Sequence, residues 1–252
     1  MTIIDGYTHC GLNKYEPIDQ VRRAMTAAGV SGAILVQHLG EYDNSYIGEV
    51  AGKDPEHLAA VCTVDHEAPD AVDALKRCGE AEWRFRGVRL LAEVVNVAPQ
   101  LLYTAADLGM IIVLFAPEGM GDYLEPVATF LEGRPKCQLV LSHLAIPLKS
   151  GGPDLPASRA AFELAKYPSV YYQVSGMKMH TPYPHEPIYP LITEALNHFG
   201  PSRLYWGSNY PVVGNEQDYV NDLRLLLDGM LPVPEAAVAN IAGLNAQRLW
   251  FA

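Results

Sequence analysis

Short apolar runs alternate along this chain with longer segments in which apolar residues recur at helical spacing. The runs are the predicted strands: Thr2–Asp5, Gly32–His38, Leu58–Val64, Phe85–Leu90, Met110–Ala116, Gln138–His143, Val170–Ser175 and Arg203–Ser208. Ile34–Val36 and Ile111–Phe115 are apolar on consecutive residues, which indicates strands covered on both faces, as in a parallel sheet. The alternation therefore predicts an α/β protein built of strand–helix units.

The segments between the strands predict helices. These are Ile18–Ala28, Ala71–Gly79, Pro99–Leu108, Tyr123–Leu131, Ala157–Lys166, Pro187–Phe199, Gln217–Gly229 and Pro234–Trp250. Eight units in 252 residues match the size of a closed barrel, so we expect a single (β/α)8 (TIM-type) barrel domain over residues 1–252. The alternative is an open doubly wound sheet, which usually has a glycine-rich phosphate loop where this chain has Gly6-Tyr7-Thr8-His9. The Gly- and Pro-rich stretch Pro147–Pro156 predicts one long loop.

Charge and hydropathy exclude several classes of partner. The formal net charge is −11 and the basic residues form no cluster, so we expect no nucleic-acid binding. The longest apolar run, Met110–Ala116, is too short to span a bilayer, and the N-terminus lacks the pattern of a signal peptide. We therefore expect a cytoplasmic protein with a small-molecule substrate and no membrane partner. A homo-oligomer stays open, because aromatic residues such as Tyr183 in a predicted loop suit an interface.

Polar and titratable residues collect where the predicted strands end. They are Asp5, Tyr7, His9, Gln37, His38, Asp65, His66, Arg89, Glu118, Ser142, His143, Gln173, Ser175, Lys178, His180, Asn209 and Tyr210. In a barrel these ends converge on one mouth, where active sites are built. Buried polar groups cost free energy unless they are paired, so several imidazoles at one mouth favour function over packing. His185, in Pro-His-Glu-Pro, is expected to be a solvated loop residue.

Six segments resemble motifs of the amidohydrolase superfamily, in order along nearly the whole chain. Ile4-Asp5-Gly6-Tyr7-Thr8-His9 resembles its first-strand motif Asp-x-His-x-His. The other five resemble its amidohydrolase-2 branch: Gly87-Val88-Arg89, Leu141-Ser142-His143-Leu144, Val174-Ser175-Gly176, Trp206-Gly207-Ser208-Asn209-Tyr210-Pro211 and Gly243-Leu244-Asn245-Ala246-Gln247-Arg248-Leu249. That branch contains sugar-lactone and pyrone-dicarboxylate lactonases, some metal-free, and zinc-dependent decarboxylases and hydratases. The resemblance thus implies a barrel acting on a small cyclic or carboxylated substrate, without selecting the reaction.

Two positions depart from the family pattern. Tyr7 replaces the first histidine of the pair, and Asn209 replaces the late aspartate. The resemblance gives those two groups, with other histidines, the role of binding a divalent ion, and only His9 and His143 remain at clear ligand positions. A neutral phenol and an amide are poor zinc ligands, and catalytic zinc typically keeps three protein ligands. We therefore predict no catalytic metal and no cofactor.

The remaining residues favour metal-independent hydrolysis of a small cyclic ester or related carbonyl compound. His143 or His9 is the candidate general base, since imidazole titrates near neutral pH, and Asn209 would orient water or polarise the carbonyl. Arg89 either clamps a substrate carboxylate or forms a helix–strand salt bridge. The further candidate substrate contacts are Tyr7, Gln37, His38, Gln173, His180 and Tyr210.

Two other functions stay open. The same histidines and arginine suit a non-hydrolytic lyase, such as a decarboxylase or hydratase, acting on a small carboxylated substrate. The loss of two ligands at Tyr7 and Asn209 is also what a pseudoenzyme or binding protein that kept the barrel would show.

Overall fold

The computed structural model describes residues 1–83, 85–148 and 153–252. In these ranges eight parallel strands form one sheet in the order β1 to β8. The strands are β1 Ile4–Thr8, β2 Gly32–Val36, β3 Leu58–Thr63, β4 Gly87–Leu91, β5 Ile111–Phe115, β6 Leu139–Leu141, β7 Val170–Val174 and β8 Leu204–Trp206. Each overlaps a predicted strand, and the predicted (β/α)8 barrel is confirmed.

The barrel closes between its first and last strands at the mouth. The backbone N–H of Asn209 donates to the Tyr7 carbonyl at 2.8 Å, and that of His9 donates to the Tyr210 carbonyl at 2.8 Å. A glycine at position 207 is required there, because a Cβ would lie 2.8 Å from the Tyr7 side chain. The same backbone contacts that close the barrel therefore place four of the predicted site residues, Tyr7, His9, Asn209 and Tyr210, next to one another in the chain backbone.

Asp5 joins the same two strands through its carboxylate. One oxygen accepts from the Ser208 hydroxyl at 2.6 Å, and the other accepts from the Ser208 N–H at 2.8 Å and the Tyr7 N–H at 3.1 Å. Burial raises the pKa of this carboxyl group to about 6, although the hydrogen bonds from Ser208 oppose the rise. Asp5 thus has a structural function in closing the barrel.

The helices cover the outside of the sheet. They are α1 Ile18–Ala28, α2 Ser45–Gly52, α3 Ala71–Glu80, α4 Val94–Val97, α5 Gln100–Asp107, α6 Leu124–Gly133, α7 Leu155–Arg159, α8 Tyr189–Phe199, α9 Glu216–Leu227, α10 Glu235–Ala239 and α11 Asn245–Trp250. No helix within residues 1–83, 85–148 and 153–252 has both the length and the apolar character that crossing a bilayer requires.

Several helical segments differ from the predictions, among them the four-residue α4, which was not predicted. Helix α2 was not predicted, because it is short and contains Gly48, whose missing side chain makes room for the ring of Trp83. The predicted last helix is divided by a π-helical turn at Asn240–Leu244, and Ala160–Lys166 is a 3-10 helix following α7. Of the predicted loop Pro147–Pro156, residues 149–152 lie outside the described residues, and α7 already begins at Leu155.

Apolar side chains pack in two layers, one inside the barrel and one between the barrel and the surrounding helices. The inner layer lies inside the strands and is closed from below by Tyr205 and by Leu249 and Trp250 of α11. The outer layer lies between the strands and the helices. Each fully buried large side chain stabilises the fold by about 1.5–3 kcal/mol relative to exposure. Helix α11 thus covers the end of the barrel interior that lies opposite the mouth.

Candidate active site

A β-bulge in β1 directs Tyr7 and His9 into the barrel. Asp5 pairs with Ala33 and Thr8 pairs with Leu35, so β1 has one residue more than β2 between these pairs. An extra residue of this kind changes which side chains face inward. Tyr7 consequently joins the inner layer, whereas the Thr8 hydroxyl bonds to the neighbouring backbone.

His9 is a neutral imidazole with one nitrogen occupied. Its Nδ1 lies 2.6 Å from the Val36 carbonyl, which can only accept, so Nδ1 carries the hydrogen and Nε2 keeps its lone pair. The ring of Tyr15 stacks on it at 5.1 Å between centroids. Burial, and next the charge of Arg89, lower the pKa of His9 to about 3. At neutral pH this side chain therefore offers a hydrogen-bond acceptor at Nε2.

His143 lies across the mouth from His9. It follows β6 with a left-handed backbone (φ 53°), and its Nδ1 is 2.9 Å from the Ser175 hydroxyl. The imidazole packs against the edges of two aromatic rings, Tyr7 at 4.6 Å and Phe115 at 5.5 Å. Burial, followed by the charge of Arg89, holds the pKa of His143 well below its usual range. His143 is therefore also neutral.

Arg89 is a buried cation at the same mouth. Its guanidinium carbon lies 5.6 Å from the Tyr7 ring and 5.2 Å from the Phe115 ring, and its Nη1 donates to the Gln37 carbonyl at 3.3 Å. Its Nε has no hydrogen-bond partner, and none of the acidic residues that the structure describes pairs with it. A buried cation without an acidic partner raises the free energy of the folded protein unless another group compensates its charge.

Tyr7 stands between the two imidazoles and Arg89. Its hydroxyl is buried without a partner in the described part of the chain. Burial raises the pKa of this phenol to about 12, although the charge of Arg89 opposes the rise. The hydroxyl thus stays protonated at neutral pH and can donate a hydrogen bond to a ligand.

Asn209 and His180 lie beside this cluster. Asn209 has a left-handed backbone (φ 55°), which asparagine tolerates better than most residues, and its amide nitrogen lies 3.2 Å from the sulfur of Met179. His180 has an unpartnered Nε2 among the described residues, and burial lowers its pKa to about 4. His38 stands at the rim, with its ring edge against Tyr15.

Three predicted substrate contacts lie elsewhere. Gln37 bonds to its own loop, its Nε2 donating to the Asp43 carbonyl at 2.7 Å. Gln173 lies below the mouth, where its side chain bonds to other buried groups. The Tyr210 ring packs against Tyr219 in the outer layer. The structure therefore brings His9, His143, Asn209, Tyr7, Arg89, His180 and His38 together, but not these three side chains.

Sequence reasoning also missed three contacts and misplaced one histidine. Tyr15, Phe115 and Met179 touch site residues, but nothing in their local sequence distinguishes them from packing residues. The prediction that His185 is solvated is wrong: the side chain is buried, with Nε2 3.2 Å from a carboxylate oxygen of Asp222 on α9. That partner is remote in sequence, so the local Pro-His-Glu-Pro pattern could not reveal it.

Gly176 offers a test of how tightly His143 is held. A Cβ at this position would lie 2.6 Å from the Nδ1 of His143, and the backbone is left-handed (φ 66°). We expect Gly176→Ala to displace the imidazole and reduce kcat by about 10- to 100-fold, with loss of folding stability near 1 kcal/mol. Gly121→Ala is the control, because a Cβ there meets nothing within 4 Å. Steady-state kinetics and thermal unfolding of both variants check this, and unchanged kcat in Gly176→Ala contradicts it.

The side chains of the mouth do not fit a divalent metal ion. Across the described residues, no three His, Cys, Asp or Glu side chains are grouped closely enough to hold one. The raised pKa of Tyr7 keeps its phenol neutral, and the charge of Arg89 repels a second cation from the same cluster. The absence of a catalytic metal stays a prediction.

Comparison with known proteins finds a curated relative and solved structures similar to this chain. The chain is 27% identical over 226 residues to an L-fucono-1,5-lactonase from Burkholderia ambifaria, covering 84% of this chain and 75% of the relative. Among solved structures, a zinc-bound amidohydrolase from Burkholderia multivorans superposes with a TM-score of 0.78 at 22% identity, over 99% of each chain. A Pseudomonas putida protein assigned as a 2-pyrone-4,6-dicarboxylic acid hydrolase superposes with a TM-score of 0.77 at 20% identity, over 98% of this chain and 97% of the other.

The family assignment rests on the match of a whole-domain sequence model. The amidohydrolase family model matches residues 12–252, which include five of the six motif segments. The first segment, Ile4–His9, lies before the matched range. The two structural neighbours share the fold with this chain. The predicted resemblance is confirmed, and the chain belongs to the amidohydrolase family.

Proposed function

We propose that this protein hydrolyses a small lactone or related cyclic carbonyl compound without a bound metal, and that His143 is the general base. Membership of the amidohydrolase family and the lactonase relative make the chain a lactonase-like hydrolase. One observation carries the finer proposal: two neutral imidazoles, whose Nε2 atoms have no partner among the described residues, adjoin a protonated phenol and a guanidinium without an acidic partner in the same part of the chain. These groups suit the activation of water beside a carbonyl group.

The imidazoles hold and activate the water. Nδ1 of each ring is occupied, by the Val36 carbonyl for His9 and by the Ser175 hydroxyl for His143, so each Nε2 accepts a hydrogen bond from the water. His143 takes a proton as the water oxygen attacks the carbonyl carbon. The ring C–O bond then breaks, and the proton passes to the departing ring oxygen, which yields a hydroxy acid.

Tyr7 and Arg89 contact the substrate. A neutral imidazole whose N–H is already used cannot donate to the carbonyl oxygen, so the phenol hydroxyl of Tyr7 stabilises the negative charge that develops there. The guanidinium of Arg89 binds a carboxylate or a ring oxygen through its unpaired N–H groups. Asn209 can orient the water through its amide, but it cannot take the proton near neutral pH.

The charge distribution favours an anionic substrate. The chain carries a net charge of −11, yet the groups whose charges lower the pKa of His9 in the mouth are the basic residues Arg89, His38 and Lys14. A local positive potential in an acidic protein raises the concentration of small anions at the site and accelerates their binding. A lactone that carries a carboxylate is therefore a better candidate than an uncharged one.

Turnover of a lactone panel in ¹⁸O-labelled water tests the proposal. The panel contains L-fucono-1,5-lactone, other sugar lactones and 2-pyrone-4,6-dicarboxylate, with product mass and CO₂ release measured together. We expect one ¹⁸O in the product carboxylate and no CO₂. Release of CO₂ without ¹⁸O incorporation supports a lyase instead, and tight binding without turnover supports a binding protein.

Metal analysis tests the second half of the proposal. Since a related Burkholderia multivorans protein binds zinc, the purified chain is assayed for zinc, manganese and iron before and after treatment with a chelator. We expect less than about 0.1 equivalent of metal, and turnover that the chelator does not change. One equivalent of zinc whose removal abolishes turnover, and whose return restores it, would contradict metal independence.

A further inference from the structure

We propose that Gln173 and Ser175 form a hydrogen-bond relay that fixes the tautomer of His143 and keeps its Nε2 free of hydrogen. The relay runs from the backbone carbonyl of Gly6 through both side chains to the imidazole. Both are positioning residues, since they act through His143. The relay itself follows from hydrogen-bond geometry, and only its effect on turnover rests on the proposed function.

The orientation of the Gln173 amide is the first step. Its Nε2 lies 3.1 Å from the Gly6 carbonyl and 3.1 Å from the Tyr205 hydroxyl. A carbonyl oxygen can only accept, so the amide nitrogen and not the amide oxygen must face Gly6. The reversed amide would place two acceptors against each other in a fully buried position, which is costly. The amide oxygen therefore faces Ser175.

The Ser175 hydroxyl is the second step. Its oxygen lies 2.7 Å from the Gln173 amide oxygen, which can only accept, so the single hydroxyl hydrogen points towards Gln173. The same oxygen lies 2.9 Å from Nδ1 of His143. With its hydrogen already used, the hydroxyl can only accept there, so Nδ1 must carry the imidazole hydrogen.

The imidazole of His143 is confined, so the relay determines which nitrogen is protonated. Aromatic rings of Tyr7 and Phe115 stand against it, and Gly176 lies so close that a Cβ would come within 2.6 Å of Nδ1. The ring cannot turn to another partner without moving these neighbours. His9 obtains the same tautomer from one backbone carbonyl, whereas His143 depends on two side chains that mutation can change.

The tautomer matters because it decides whether His143 can act as a base. With hydrogen on Nδ1, the Nε2 lone pair can take a proton from water. With hydrogen on Nε2, the nitrogen that faces the mouth can only donate, and the reaction stops at that group. A change at Gln173, which does not touch the imidazole, should therefore alter both the tautomer and the rate.

Gln173→Leu and Ser175→Ala test the relay. In Gln173→Leu the Ser175 hydroxyl loses its acceptor and becomes free to donate to Nδ1, so both tautomers should be populated. Two-bond ¹H–¹⁵N correlation spectra of protein labelled with ¹⁵N-histidine report which ring nitrogen is bare, and His143→Asn assigns the signal. We expect a bare Nε2 in the wild type and mixed nitrogen shifts in both variants. We also expect kcat to fall about 10- to 100-fold with KM unchanged.

Ser142→Ala is the matched control. Ser142 is as buried as Ser175 and precedes His143 directly, but its hydroxyl donates to the Leu114 carbonyl at 2.9 Å instead of contacting an imidazole. It should leave the tautomer and kcat unchanged. If Gln173→Leu does not fold, Ser175→Ala supplies both readouts.

The outcomes separate the relay from the proposed function. A wild-type spectrum with hydrogen on Nε2, or an unchanged tautomer in a folded Gln173→Leu or Ser175→Ala variant, overturns the relay. A mixed tautomer with unchanged kcat supports the relay but contradicts the role of His143 as the base.

Discussion

We expect His143→Asn to lower kcat by about 10²- to 10⁴-fold, the usual contribution of a positioned general base, while the protein stays folded. Asparagine suits this position because the backbone is left-handed (φ 53°), a conformation that asparagine adopts more readily than alanine does. The amide also fills part of the imidazole volume between Tyr7 and Phe115, so the cavity left behind is small. The loss should therefore reflect chemistry and not unfolding. Steady-state kinetics with the best substrate of the lactone panel and thermal unfolding measure the two effects.

His57→Asn is the control for His143→Asn. His57 lies outside the mouth, where its ring contacts Asp54 on the exposed surface, and its replacement should leave kcat within about two-fold of the wild type. His9→Asn separates the two imidazoles: we expect a smaller loss than for His143→Asn, because His9 holds the water but does not take its proton. Near-wild-type turnover in His143→Asn excludes His143 as the base, and a larger loss in His9→Asn transfers that role to His9.

The barrel was predictable because its signal repeats. Consecutive apolar residues such as Ile111–Phe115, enriched in β-branched side chains, indicate strands covered on both sides, and the alternation with helical segments recurs along the whole chain. Helix α2 escaped prediction because its stability comes from packing Gly48 against Trp83, and a glycine in a short segment argues against a helix when the sequence is considered alone.

The candidate site was predictable in its location but not in its details. Strand ends converge in a barrel, so His9, His143 and Asn209 could be placed together from their positions. Which side chains face inward depends on the bulge in β1, and local sequence does not encode a bulge that arises from pairing between strands. The roles of Gln173 and His185 could not be predicted from the sequence either, because each is determined by a partner that is distant in sequence.

Arg89→Met should reduce kcat/KM by about 10²- to 10³-fold and at the same time raise the melting temperature. The first effect follows because truncating one member of a buried charged contact costs about 2–5 kcal/mol of binding, and we expect it mainly in KM. The second follows because Arg89 is buried without an acidic partner in the described residues, and a methionine of similar length removes that cost. A mutation that weakens substrate binding while it stabilises the free protein marks a residue retained for its ligand.

The pH profile of Arg89→Met gives an independent measurement. The charge of Arg89 lowers the pKa of both His9 and His143, so its removal raises both pKa values. A base works only when it is unprotonated, and the acid limb of kcat/KM therefore moves to higher pH. Arg89→Lys keeps the charge but loses the planar fork, so its acid limb should stay in place while KM rises.

Arg203→Met is the matched control for the stability effect. Arg203 also lies against an aromatic ring, that of Phe199, but its guanidinium donates to the carbonyls of Phe199, Tyr167 and Val170. Its replacement should lower the melting temperature, because those carbonyls lose their donors, and it should leave the acid limb unchanged. The opposite outcome is a lower melting temperature in Arg89→Met, as in Arg203→Met, with KM and the acid limb of kcat/KM unchanged. Arg89 is then a structural residue, and the site does not bind an anion. If Arg89→Met instead gains stability, binds substrate more weakly and shifts its acid limb, one physical cause explains all three effects. Arg89 is then a buried cation whose charge is compensated by a negatively charged ligand.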